Sequence, residues 1–168
     1  VVCVDISKEK IDRLNKGTIP FFEPGLEDLL KKNKKNIFFT TDYTDAYKSA
    51  DIIFVCVGTP ENYDGSANLD YVNQTINEIG NSIEKDTLIV MKSTIPMGTI
   101  PSLESKLKRI LLSRGLSINV DIASNPEFLS QGTAIKDALN ASRIVIGVQS
   151  AMAQLLLSLI HISEPTRP

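Results

Sequence analysis

Residues 51–57 read Asp-Ile-Ile-Phe-Val-Cys-Val, and this unbroken apolar run limits the possible folds more than any other stretch. It is too short for a buried helix and has no polar alternation, which marks a strand covered on both faces. Such strands belong to parallel sheets with helices above and below. Val1–Val4 and Leu88–Met91 repeat the pattern, with Ile37–Thr41, Ile118–Ala123 and Ile144–Val148 as further strands. Helical periodicity fills the gaps between them. Leu69, Val72, Ile76, Ile79 and Ile83 step by 3, 4, 3 and 4, and Ile100, Leu103, Leu107 and Leu111 mark a second face. Pro101 is compatible with the first turn of that second helix. Ser7–Lys16 reads as a helix closed by Gly17, Gly25–Lys35 as a helix after a loop bracketed by Pro20 and Pro24, and Thr44–Ser49 as a short helix. With right-handed crossovers this order predicts a Rossmann-like, doubly wound α/β domain.

Composition narrows the function classes. Lys and Arg total 18 against 20 Asp and Glu, a net charge of −2 without a basic stripe, which argues against nucleic acid as a partner. No apolar run approaches the ~20 residues of a membrane span. Cys3 and Cys56 each sit in an apolar run and are expected to be buried thiols; with a single histidine and no CxxC pair, no metal site is expected and a reducing, cytoplasmic setting is. The 168 residues start without Met, inside a strand-like run. The expectation is therefore a fragment, lacking the first strand, glycine loop and helix of the fold, roughly 25–30 residues in all.

In open α/β sheets the ligand lies at the carboxyl ends of the strands. Asp5 closes Val-Val-Cys-Val, where an acid can accept hydrogen bonds from ribose hydroxyls; a strand-end or helix-cap role is equally open. Gly58-Thr59-Pro60 follows the 51–57 run, with room for a ligand at Gly58 and a hydroxyl at Thr59, although Gly and Pro also make ordinary turns. Lys92-Ser93-Thr94 follows Leu88–Met91 and suits a polar ligand group or a helix N-cap. Ser124-Asn125-Pro126-Glu127 places a carboxylate at the same edge, for proton handling or as a solvated loop residue.

Taken together, VVCVD, IPFFEPGLEDLL, VGTP, KSTIPMGT, NPEFLSQGTA and SRIVIG occur in order at strand ends. In this combination the chain resembles the NAD-binding domain of the UDP-glucose/GDP-mannose dehydrogenase family, over about residues 1 to 155. The resemblance implies NAD as cofactor and two oxidations of the C6 alcohol of a nucleotide sugar. UDP-glucose is the leading substrate, with GDP-mannose or a UDP-N-acetylhexosamine as alternatives. It implies a cysteine that carries a thiohemiacetal and then a thioester, a catalytic lysine and a homo-oligomeric parent enzyme. It implies that Asp5 and Lys10 contact the adenosine ribose, and that Gly58 and Thr59 lie along the dinucleotide. Thr94 would sit near the nicotinamide and help hold water, and Glu127 would be the acid/base residue. Phe128, Leu129, Ser130 and Gln131 would contact the sugar nucleotide, Gln131 reaching the cofactor as well.

Three departures accompany the resemblance. The glycine-rich pyrophosphate loop is not in these residues. Gln131 stands where the family often has glutamate, and an amide can hydrogen-bond but cannot accept a proton. The nucleophilic cysteine and catalytic lysine are expected outside the chain, with Cys3 and Cys56 as structural thiols. Residues 1–157 are thus expected to form the partial NAD-binding domain. Residues 158–168 are expected to be a non-native tail, in which His161 has no catalytic part. A non-catalytic NAD-sensing module is the alternative from a different class.

Overall fold

A computed structural model describes residues 1–141 and 143–160. In chain order its elements are β1 (Val2–Val4), α1 (Lys8–Asn15), α2 (Leu26–Asn33), a 3-10 turn (Lys34–Asn36), β2 (Phe38–Thr40), α3 (Tyr43–Lys48) and β3 (Ile52–Val55), followed by α4 (Asp70–Ser82), β4 (Thr87–Met91), α5 (Thr99–Ser113), β5 (Val120–Ser124), α6 (Ala134–Leu139) and α7 (Ala151–Ile160). They form two compact units: Val1–Ala46 with 128–141, and Tyr47–Glu127 with 143–160.

In the first unit β1 and β2 pair in parallel, with Cys3 opposite Phe39. Ser7 caps α1 by accepting from the Lys10 amide, and Ile11 is the buried residue of that helix. The helix ends in a Schellman arrangement: the Gly17 amide donates to Leu14 and the Thr18 amide to Arg13. Gly17 has φ 81°, the left-handed conformation that this ending requires.

In the second unit β3, β4 and β5 form a parallel ladder in that order. Ile53, Ile89 and Ile122 are in register. One face packs Ile53, Val55, Ile89, Met91 and Ile122 against Val72, Ile76 and Ile79 of α4 and Leu103, Leu107 and Leu111 of α5. On the other face Leu88, Val90 and Ala123 meet Ala153 and Leu157 of α7. Helices thus cover both sides of a parallel sheet, and β4 is buried along its whole length. Arg114 closes the back of this core, its guanidinium donating to the carbonyls of Gly80 (2.7 Å) and Ile83 (2.8 Å) at the end of α4.

Several expectations are corrected. The 51–57 run is not covered on both faces: β3 is an outer strand of its ladder, Phe54 is 43% exposed and Cys56 is exposed. Cys56 is therefore not a buried thiol, and Cys3 is only half-buried. Ile144–Val148 forms no strand; it makes one antiparallel bridge, in which Gly147 and Ser124 exchange two backbone hydrogen bonds of 2.8 Å. Apart from these corrections, α7 spans Ala151–Ile160, and 161–168 of the expected tail, with His161, lie outside the described residues. No helix among the described residues is long and apolar enough to cross a membrane.

Candidate functional site

The candidate residues stand at the carboxyl ends of the parallel strands. In the first unit β1 delivers Asp5 directly in front of α1. Its Oδ1 accepts from the Ser7 amide at 2.8 Å, and its Oδ2 lies 3.4 Å from Lys10 Nζ. The strand-to-helix role of Asp5 is therefore observed, and its second oxygen is not used in that turn. One oxygen fastens the strand-to-helix turn, and the other, with an exposed lysine beside it, faces outward.

The segment 128–133 of the same unit is a turn built around two carboxylates. Asp137 Oδ2 accepts from the Ser130 amide (3.0 Å) and the Thr133 hydroxyl (2.8 Å). These donors hold the Asp137 carboxyl below its ordinary pKa. Glu23 Oε2 accepts from the Gly132 amide at 2.9 Å. Gly132 has φ 86°, a conformation that disfavours any other residue there. Gln131 lies between the two anchored amides and is exposed, as are Phe128 and Leu129. Glu23 also borders a cleft of about 630 Å³ lined by the loop from Gly17 to Gly25 and by Glu27 and Asp28.

In the second unit Ser93 joins two strand ends. Its buried hydroxyl donates to the Val57 carbonyl at 2.6 Å and lies 3.3 Å from that of Val55. This fixes the start of Gly58-Thr59 against Thr94. Thr59 Oγ1 then donates to the Thr94 carbonyl at 2.9 Å. A Cβ at Gly58 would meet no protein atom within 4 Å, so packing does not require glycine there and the space beside it is open. Asn125, 1% exposed, donates through Nδ2 to Val145 and accepts from Lys92 Nζ at 3.3 Å. Its amide continues the ladder to Met91, which brings Glu127 to the edge that carries Thr94. Glu127 and Thr94 are both exposed, and no hydrogen bond joins them among the described residues.

Each unit by itself thus carries polar side chains after its parallel strands, Asp5 in the first and Thr59, Thr94 and Glu127 in the second, and strand carboxyl ends are where open α/β sheets bind ligands. The UDP-glucose/GDP-mannose dehydrogenase family, NAD binding domain, matches residues 1–163. The chain belongs to that family. It is 42% identical over 149 residues to a UDP-glucose 6-dehydrogenase of Bacillus subtilis, an alignment covering 88% of this chain and 33% of that protein. Among solved structures it is similar to a ternary complex of GDP-mannose dehydrogenase from Pseudomonas aeruginosa, with TM-score 0.87 and 35% identity, covering 95% of this chain and 38% of that one. It is also similar to a UDP-glucose dehydrogenase from Pyrobaculum islandicum, with TM-score 0.85 and 34% identity, covering 94% and 37%. The chain thus spans about a third of the length of the curated relatives it matches.

Within this member of the dehydrogenase family, the structure pairs Asp5 with Lys10 and Thr59 with Thr94. It sets Ser130 and Gln131 in one anchored turn. The sequence pointed to Lys92 and Ser93 as suited to a polar ligand group, but gave no sign that Ser93 is taken by the Val57 carbonyl, that Lys92 pairs with Asn125, or that Glu23 has any part. Ser93 and Asn125 were legible as polar residues immediately after strands. Glu23 carried no comparable signal, because its partner Gly132 is 109 residues away.

Proposed function

We propose that this chain is the dinucleotide-binding part of an enzyme that oxidises the C6 alcohol of UDP-glucose to UDP-glucuronate. The observation that carries the reading is the family match along nearly the whole chain, together with polar residues placed at the strand ends. The donor set fits a dinucleotide: an outward carboxylate oxygen on Asp5 for ribose hydroxyls, open space at Gly58, and hydroxyls at Thr59 and Thr94. NAD⁺, when bound, supplies the hydride acceptor for both oxidations. One alcohol, two NAD⁺ and one water then give one carboxylate, two NADH and three protons.

In this reading Asp5 Oδ2 accepts from the adenosine ribose with Lys10 beside it. Thr59 Oγ1 donates to Thr94 and is left as an acceptor toward the ligand. The Thr94 hydroxyl and the Glu127 carboxylate hold the water that completes the second oxidation, Glu127 taking its proton. Phe128, Leu129, Ser130 and Gln131 contact the sugar nucleotide, and Gln131 also bonds to the cofactor through its amide. The nucleophilic thiol and the lysine come from parts of the parent enzyme outside this chain. The parent enzyme is cytoplasmic and homo-oligomeric in the same reading.

The test follows NADH absorbance in the full-length parent enzyme supplied with UDP-glucose. Two NADH per UDP-glucose are expected. No absorbance rise with an intact nucleophile overturns the reading. The likeness to a GDP-mannose dehydrogenase structure supports a second substrate, so the same assay is run with GDP-mannose. Faster turnover of GDP-mannose reassigns the sugar while leaving the oxidation in place.

A further inference from the structure

We infer that Glu23 is a positioning residue, whose carboxylate sets, through the Gly132 amide, the turn that presents Gln131 to the bound dinucleotide. The inference rests on the dehydrogenase reading and deepens it. Gln131 is exposed and flanked by two fixed amides: Ser130, 3.0 Å from Asp137 Oδ2, and Gly132, 2.9 Å from Glu23 Oε2. The Asp137 contacts are local, within one turn and the first turn of α6. The Glu23 contact reaches across 109 residues and is a long-range tie on the turn. Glu23 sits in a short loop, where its own carbonyl accepts from the Leu26 amide at 3.2 Å. Pro20 and Pro24 restrict the backbone on either side, and the loop runs from the Schellman end of α1 to Gly25 at the start of α2.

The second Glu23 oxygen argues against a purely stabilising role. Oε1 is buried with no hydrogen-bond partner among the described residues. A carboxylate with one dry, unbonded oxygen is a costly way to hold a single amide. A carboxylate does, however, hold an amide more strongly and at a shorter, better defined distance than a neutral acceptor. Precision at Gly132 fixes the neighbouring Gln131, whose side chain has to meet its ligand at a defined distance.

The test uses the full-length enzyme with Glu23→Ala and Glu23→Gln. Glu23→Ala is expected to weaken NAD⁺ binding in an equilibrium titration by about tenfold, the equivalent of one charge-assisted hydrogen bond. The KM for NAD⁺ follows it, while kcat changes less than about threefold. Glu23→Gln, which keeps an oxygen for Gly132, is expected to stay within about threefold of the parent enzyme in both. Amide hydrogen exchange reports the tie directly: Gly132 exchanges fast in Glu23→Ala and stays protected in Glu23→Gln. Unchanged NAD⁺ affinity in Glu23→Ala, or a Gly132 amide that stays protected in it, overturns the inference. So does a fall in kcat at constant KM in both variants with a matching loss of thermal stability. Failure of the parent enzyme itself to bind NAD⁺ is a separate result, and it takes down the dehydrogenase reading along with this one.

Discussion

Replacing Ser93 by alanine measures how firmly the two loops at the ends of β3 and β4 are held. Ser93 is 8% exposed, and its hydroxyl reaches the Val57 carbonyl at 2.6 Å and the Val55 carbonyl at 3.3 Å. The Val55 carbonyl keeps the Lys92 and Ser93 amides in the variant, at 2.9 and 3.1 Å, so little is lost there. The Val57 carbonyl has no other donor among the described residues. Losing that bond costs roughly 0.5–1.5 kcal/mol, and a carbonyl left dry adds about 1–3 kcal/mol. Val57 is half-buried, so water recovers part of the second term and the total comes to about 1.5–2 kcal/mol. For a chain of this size that lowers Tm by roughly 3–8 °C. Urea unfolding at constant m-value and thermal melting are the assays. Thr59→Ala is the internal control: it removes an exposed 2.9 Å bond and is expected to cost under about 0.5 kcal/mol. Equal losses in the two variants, or a Ser93→Ala loss below about 0.5 kcal/mol, would refute the argument from burial.

Arg114→Ala removes both guanidinium bonds to the end of α4, which run from a single nitrogen, and is expected to destabilise by about 1.5–3 kcal/mol, read by urea unfolding. Iodoacetamide is expected to label Cys56 before Cys3, with Cys56→Ser abolishing the fast phase. Burial pushes the Cys3 thiol up, so its labelling rate keeps climbing at pH values above the ordinary thiol range. The Asp137 carboxyl is held below its ordinary value by the Ser130 amide and the Thr133 hydroxyl. Its contribution to the 130–133 turn is therefore complete above the unfolded value, about 3.9, and is lost as pH falls through the lower folded value. The Ser130 amide resonance is expected to stay constant from pH 7 to pH 4 and to move only below that; movement centred above pH 4 would contradict the assignment.

The large elements were legible because burial leaves a periodic trace. The Leu69–Ile83 and Ile100–Leu111 patterns became α4 and α5, and Leu88–Met91 became the wholly buried β4. The 51–57 run misled through the same reasoning. Its composition matches a strand covered on both faces, but covering depends on what lies opposite, and the structure leaves Phe54 and Cys56 exposed. Ile144–Val148 misled differently: β-branched residues there meet a single antiparallel bridge at Gly147, and propensity without a partner strand makes no ladder.

Polar assignments were harder, since a hydroxyl or carboxylate in a sequence does not show which partner it has already taken. Thr59 illustrates the consequence. As a sequence feature it could donate to a phosphate or to a ribose oxygen. In the structure its hydroxyl already donates to the Thr94 carbonyl at 2.9 Å, an exposed bond that a ligand acceptor would have to displace. The same logic divides Asp5, whose Oδ1 is taken by the Ser7 amide while Oδ2 remains to accept. In each case a polar side chain already holds a partner within its own unit, which the sequence alone could not show.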